Sequence, residues 1–211
     1  MEQKDVIVFF DRRASTWDAN MVRNEAVISE ILDNAGVRPG ADVLDVACGT
    51  GVLFPDYLKR NVHSVTAIDL SPAMARIAHS KFPDTQIHVI CGDVETTQFQ
   101  QFFDCIVVYN AFPHFPEPER LICILSGLLN PGGMLTVAHG MSRSALNRHH
   151  SGHARKVSIG LLHENELSDI FARYLTVTTK ISDSRMYQVA GIRTPKPSPQ
   201  SLSHTEHLHG G

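Results

Sequence analysis

Long apolar runs are missing from this 211-residue chain. None approaches the roughly 20 consecutive apolar residues that span a bilayer, so no stable membrane insertion is expected. The opening Met1-Glu2-Gln3-Lys4-Asp5 lacks the basic segment and apolar stretch of a secretory signal, and a cytoplasmic location is the expectation. An excess of one charge is missing too: 19 Lys and Arg stand against 22 Asp and Glu, a formal net charge of -3. That balance gives no overall pull toward nucleic acid or an anionic membrane, and a small neutral partner is easier to accommodate. The four cysteines, Cys48, Cys91, Cys105 and Cys123, include no C-x-x-C pair, and they read as reduced thiols, most of them in or beside strands.

What is present is an ordinary globular composition, with 43% hydrophobic and 19% charged residues, in a length that suits one domain. That domain is expected over residues 1–194. Residues 6–35 carry helical spacing, with Val22, Ala26, Val27 and Ile31 on one face and a joint near Ser15. Phe9, Phe10 and Trp17 in this region either pack into the core or form part of a helical lid over residues 1–36. Residues 195–211 are too rich in proline and polar side chains to pack, and a disordered tail is expected there.

The chain is organised around Val43-Leu44-Asp45-Val46-Ala47-Cys48-Gly49-Thr50-Gly51. Apolar Val43, Leu44 and Val46 predict a buried strand, and Gly49 and Gly51 predict a tight turn that a ligand can approach closely. Strands over 62–68, 86–91, 103–109 and 134–138 follow, alternating with helices over 52–60, 71–81 and 117–129. The pattern predicts a Rossmann-like doubly wound α/β sheet. After it come a polar loop over 139–160, a helix over 164–174 and two alternating strands over 176–181 and 186–192. Asp69 and Asp93 stand at the carboxyl ends of the second and third strands, the edge at which such sheets bind ligands, and Asp69 lies about as far from the glycine turn as the ribose-binding acid of nucleotide folds. A dinucleotide fingerprint needs a third glycine, and Phe54 occupies that place.

These residues resemble the class I S-adenosylmethionine-dependent methyltransferases. The turn 43–51 is similar to that family's first motif, Ala67-Ile68-Asp69-Leu70-Ser71 to its ribose-binding strand end, and Gly92-Asp93-Val94 to its adenine-contacting motif. Residues 103–108 and 128–135 are similar to its later signatures. Phe9-Phe10-Asp11-Arg12-Arg13-Ala14 with Trp17-Asp18 is similar to the ubiquinone/menaquinone-biosynthesis type. The resemblance implies a seven-stranded sheet of order 3-2-1-4-5-7-6 with the last strand antiparallel, and methyl transfer from S-adenosyl-L-methionine to a small-molecule acceptor, leaving S-adenosyl-L-homocysteine. It implies Ala47, Gly49 and Gly51 beside the methionine part, Asp45 near its ammonium group, and Asp69 on the ribose. Asp93 would take the adenine amino group, Leu70, Met74 and Val94 the adenine faces, Trp17 a place in the cofactor site, and Asn110 the mouth where methyl meets acceptor. Asp45 alternatively caps the turn through backbone hydrogen bonds.

If the acceptor carries a proton, a base near the methyl group helps, and His114 at the exit of the fourth strand is the best-placed candidate, with packing in a loop as the alternative. Of twelve histidines, His149, His150 and His153 form an H-H-x-x-H run in the polar loop. His149 and His150 are further catalytic candidates, and with His139 and His153 they are candidate metal ligands. Arg143, Arg148 and Arg155 offer the alternative of an anionic acceptor, and a solvated basic loop is the third reading. Two other functions remain open: a non-catalytic accessory protein that keeps the cofactor pocket, and a nicotinamide-dependent reductase. The oligomeric state stays open.

Overall fold

Val43, Leu44 and Val46 are fully buried in strand β1 (Asp42–Val46), an interior strand of the sheet in the computed structural model of this chain. The structure describes residues 1–83, 86–150 and 155–194 and, of 149, 150 and 155, the backbone alone. The expected tail over 195–211 lies outside the described residues.

Parallel strands β2 (Ser64–Asp69) and β4 (Phe103–Tyr109) flank β1, and β3 (Ile87–Cys91) forms the edge beyond β2. On the other side β5 (Leu129–His139) runs parallel to β4, and β7 (Tyr187–Ile192) and β6 (Thr176–Ser182) close the sheet in antiparallel pairings. The seven strands stand in the order β3-β2-β1-β4-β5-β7-β6, the order that the family resemblance implies. Central strands apolar on both faces need cover on both faces. One layer packs Val27, Ile28, Ile31 and Leu32 of α3 (Glu25–Asn34) with Phe54 and Tyr57 of α4 (Phe54–Lys59). The opposite layer packs Leu121, Ile122 and Leu125 of α6 (Pro118–Gly127) with Leu167 and Phe171 of α8 (Glu164–Ala172). α5 (Pro72–Lys81) follows β2 and opens on Ser71, whose side chain accepts a hydrogen bond from Met74 N at 3.1 Å, with Pro72 at the first helical position.

Three expectations change. The N-terminal region holds α1 (Gln3–Asp11), the short α2 (Ala14–Trp17), a single 3₁₀ turn (Asp18–Asn20) and then α3, rather than two helices over 6–35. Val22 is 94% exposed outside any helix, because Asn24 caps α3 by accepting from Val27 N and sets the helix start at Glu25. The polar stretch 139–160 is not a plain loop: it forms α7 (Arg143–His150) and a 3₁₀ turn at Arg155–Val157. Ser142 Oγ accepts from Ala145 N at the start of α7, and the buried Leu146 supplies the apolar anchor that its polar neighbours hide from periodicity. The expected lid over 1–36 divides, since α1 and α2 sit at the ligand edge of the sheet while α3 belongs to the core.

Candidate functional site

The chain leaves β1 through three left-handed residues, Ala47 at φ 54°, Gly49 at 58° and Gly51 at 83°. Ala47 holds a conformation that costs an L-residue about 1–2 kcal/mol, so the turn is shaped against local preference. Gly51 is needed for a second reason: a Cβ there would meet the Phe54 ring at 2.6 Å. Phe54, in the place of a dinucleotide fingerprint's third glycine, is fully buried edge-on to Phe82 with ring centroids 5.5 Å apart. A large ring fills the space that the dinucleotide pattern keeps open for close helix packing.

The parallel register brings Val46 beside Ile68, and Asp69 beside Cys91, so the β1 turn, Asp69 and Gly92-Asp93 share one sheet edge. Asp69 spans two segments there: Oδ2 accepts from Gly49 N at 2.7 Å and Oδ1 from Ser71 N at 2.8 Å. Burial pushes its carboxyl above the usual range, and those two N–H donors pull the other way. Asp93 Oδ1 accepts from Glu95 N at 2.9 Å, and Oδ2 accepts from Gln3 Nε2 at 2.9 Å.

A cavity of about 730 Å³ opens over this edge. Of the residues singled out in the sequence, Trp17, Ala47, Gly49, Asp69, Leu70, Met74, Asp93, Val94, Asn110 and His114 line it together. Two do not. Asp45 is fully buried behind the turn, and Gly51 faces a separate hollow of about 430 Å³ beside Arg23, Lys59 and Lys81. Asp45 Oδ2 has no hydrogen-bond partner among the described residues, and burial, then the charge of Asp69, raises its carboxyl well above the usual range.

The N-terminal elements roof the cavity. Gln3, Val6, Ile7 and Phe10 line it at the spacing of one helical face of α1, and Phe10 stands edge-on to Trp17 at 5.6 Å and to His114 at 4.9 Å. Asp11 Oδ1 accepts from Ser71 Oγ at 2.5 Å and Ala73 N at 3.1 Å. Asp18 accepts from Thr50 Oγ1 and Lys81 Nζ, both at 2.5 Å; burial works against its charge, but Lys81 and Thr50 hold its carboxyl below the usual range.

At the exit of β4, Asn110 adopts φ 55° and accepts through Oδ1 from Gly140 N at 3.0 Å. His114 sits in a 3₁₀ turn (Phe112–His114), with Nδ1 2.6 Å from Val157 O. A carbonyl only accepts, so Nδ1 carries the proton, and in the neutral ring Nε2 is the acceptor. His139 is not at the cavity: it is buried at the end of β5, its ring centroid 6.2 Å from that of Tyr187. The side chains of His149 and His150, and all of His153, lie outside the described residues. Among the described residues no group of three or more His, Cys, Asp or Glu could hold a metal ion.

Sequence reasoning missed Gln3, Asn20, Tyr109 and Met141, all on the cavity wall. Only Tyr109 carried a signal, because it ends β4 at the ligand edge immediately before Asn110. Burial raises its hydroxyl above the usual range, so it remains a hydrogen-bond donor.

Comparison with known proteins meets this geometry at the sheet edge. Residues 44–137, from β1 to β5, match a family described as a methyltransferase domain. The β1 turn, Asp69, Asp93 and Asn110 all lie within that match. It is 36% identical over 141 residues to the ubiquinone biosynthesis O-methyltransferase of Xanthomonas campestris, covering 63% of this chain and 56% of that protein. It is 28% identical over 165 residues to the malonyl-[acyl-carrier protein] O-methyltransferase of Acetivibrio thermocellus, covering 75% and 58%. The chain thus spans a little over half the length of these curated relatives. The N-methyltransferase NodS of Bradyrhizobium japonicum, solved with S-adenosyl-L-homocysteine, shares the fold of this chain with a TM-score of 0.71 at 15% identity, covering 90% of this chain and 98% of that one.

Proposed function

We propose that the chain transfers a methyl group from S-adenosyl-L-methionine to a small-molecule acceptor. One observation carries this reading: a left-handed glycine turn, Asp69 and Asp93 stand at adjacent strand ends around a single cavity of about 730 Å³. That volume is within the range of small-molecule and cofactor sites, roughly 300–1,000 Å³. Asp69 takes the ribose, Asp93 the adenine amino group, and Leu70, Met74 and Val94 the adenine faces. Asp45, which the resemblance puts near the ammonium group, is buried behind the turn and does not line the cavity.

When bound, the donor supplies a methyl carbon on a sulfonium, which an acceptor atom takes by in-line displacement. The protein's part is to align the acceptor and to keep water out. Phe10 and Trp17 close the roof, Tyr109 and Asn110 form the β4 side of the acceptor end, and His114 on the cavity wall is the candidate base for a proton leaving the acceptor. The relatives' O-methyltransferase names favour oxygen as the acceptor atom. The chain's balanced charge favours a small molecule over nucleic acid, and its four free thiols suit a cytoplasmic location. No helix among the described residues is long and apolar enough to cross a membrane. A metal at His139, His149, His150 and His153 has no support among the described residues, and His139 lies away from the cavity.

Calorimetry with S-adenosyl-L-homocysteine tests the site. Asp69→Asn and Asp93→Asn, each shown to be folded by thermal melting, are expected to weaken binding about tenfold or more, the loss of a charge-assisted hydrogen bond. Unchanged affinity in both variants, or tighter binding of a nicotinamide dinucleotide by the wild type, would overturn the assignment. Labelled donor with a panel of phenols, quinones, thiols and amines then separates an enzyme from an accessory protein that binds without transfer.

A further inference from the structure

We propose that Gln3 competes with the adenine amino group for Asp93, so that the first turn of α1 is a gate that lifts from the site as the nucleotide enters. This rests on the reading of Asp93 as the adenine acid. Asp93 has two carboxylate oxygens, and Oδ1 is already committed to Glu95 N at 2.9 Å. Oδ2 is the remaining oxygen, and Gln3 Nε2 donates to it at 2.9 Å. A carboxamide presents a planar NH₂ donor beside an acceptor oxygen, the same donor–acceptor pair as the amino group and ring nitrogen on the edge of adenine. Gln3 therefore satisfies Asp93 with the chemistry that the nucleotide would bring.

The neighbouring contacts make α1 suited to lifting from its N-terminal end. Glu2, at the N-cap, makes no side-chain cap bond, so the first turn holds itself weakly. Val6 is the first buried residue of the helix, packed with Val157 and Leu70. Beyond it, Asp11 on Ser71 and Ala73, and Asp18 on Thr50 and Lys81, tie the roof down through atoms that the nucleotide does not need. Release of the Gln3 contact frees one turn and leaves the rest of the roof in place.

Calorimetric titration of the full chain with S-adenosyl-L-homocysteine decides it. Gln3→Ala removes the competing donor, and Gln3→Glu keeps the size while setting a second carboxylate against Asp93. Both variants are expected to bind about threefold to tenfold more tightly than wild type, the range for losing one exposed hydrogen bond to a charge. Affinity equal to or weaker than wild type in either variant overturns the proposal and makes Gln3 a support of Asp93 instead. A wild-type chain that binds no S-adenosyl-L-homocysteine overturns the cofactor reading itself, and this proposal with it.

Discussion

Asp45 carries a carboxyl that the fold strips of water while leaving Oδ2 without a hydrogen bond among the described residues. Its folded value lies well above the ordinary 3.8, through burial first and the Asp69 charge second. The folded state therefore holds its proton where the unfolded chain has lost it. This stabilisation is intact below about pH 4 and is lost as pH rises toward the folded value, at up to about 1.4 kcal/mol per pH unit. Asp45→Asn keeps the shape without the ionisation, so the variant is expected to melt higher than wild type at pH 8, with a flatter dependence of melting temperature on pH. Identical pH profiles for the two proteins would refute this account. The same residue was visible in the sequence as part of the turn motif, whereas its distance from the cavity wall was not, because burial behind a turn depends on the register of neighbouring strands.

At the scale of elements, α1 and α5 are joined by a capping bond supplied from outside the capped helix. Asp11 accepts from Ser71 Oγ and Ala73 N at the start of α5, where the helix dipole also favours a negative charge. Asp11→Ala is expected to cost about 1 kcal/mol, read as a melting temperature roughly 2–4 °C lower, with faster amide exchange in both α1 and the first turn of α5. Loss of protection in α5 alone would show that α1 does not depend on the bond. Such a contact joins residues 60 positions apart, and neither Asp11 nor Ser71 announces it locally. The start of α5 itself was legible, because Ser71-Pro72 is a cap followed by a proline at the first helical position. The start of α3 was not, because Val22 continues the apolar spacing past the point where Asn24 caps the helix. α7 was hidden for the opposite reason, since one buried leucine among polar neighbours leaves almost no period to read.

The whole sheet was the most legible feature, because alternating strands and helices leave few right-handed ways to assemble a parallel sheet. Its cavity was only half legible. The adenosine side lies on strand ends that the edge rule identifies, while the roof comes from residues 1–23 and the far wall from Met141 and Leu146. A site gathered from segments across most of the chain couples ligand binding to global stability, since unfolding any one of them destroys it. S-adenosyl-L-homocysteine at about 100 times its dissociation constant should therefore stabilise the fold by about 2.7 kcal/mol. For a domain of this length that is a rise in melting temperature of roughly 5–11 °C, measured by differential scanning fluorimetry against adenosine-free homocysteine. Binding seen by calorimetry with no rise in melting temperature would mean that the ligand sits on a surface that unfolding leaves intact, and the cavity over the β1–β3 edge would not be the site.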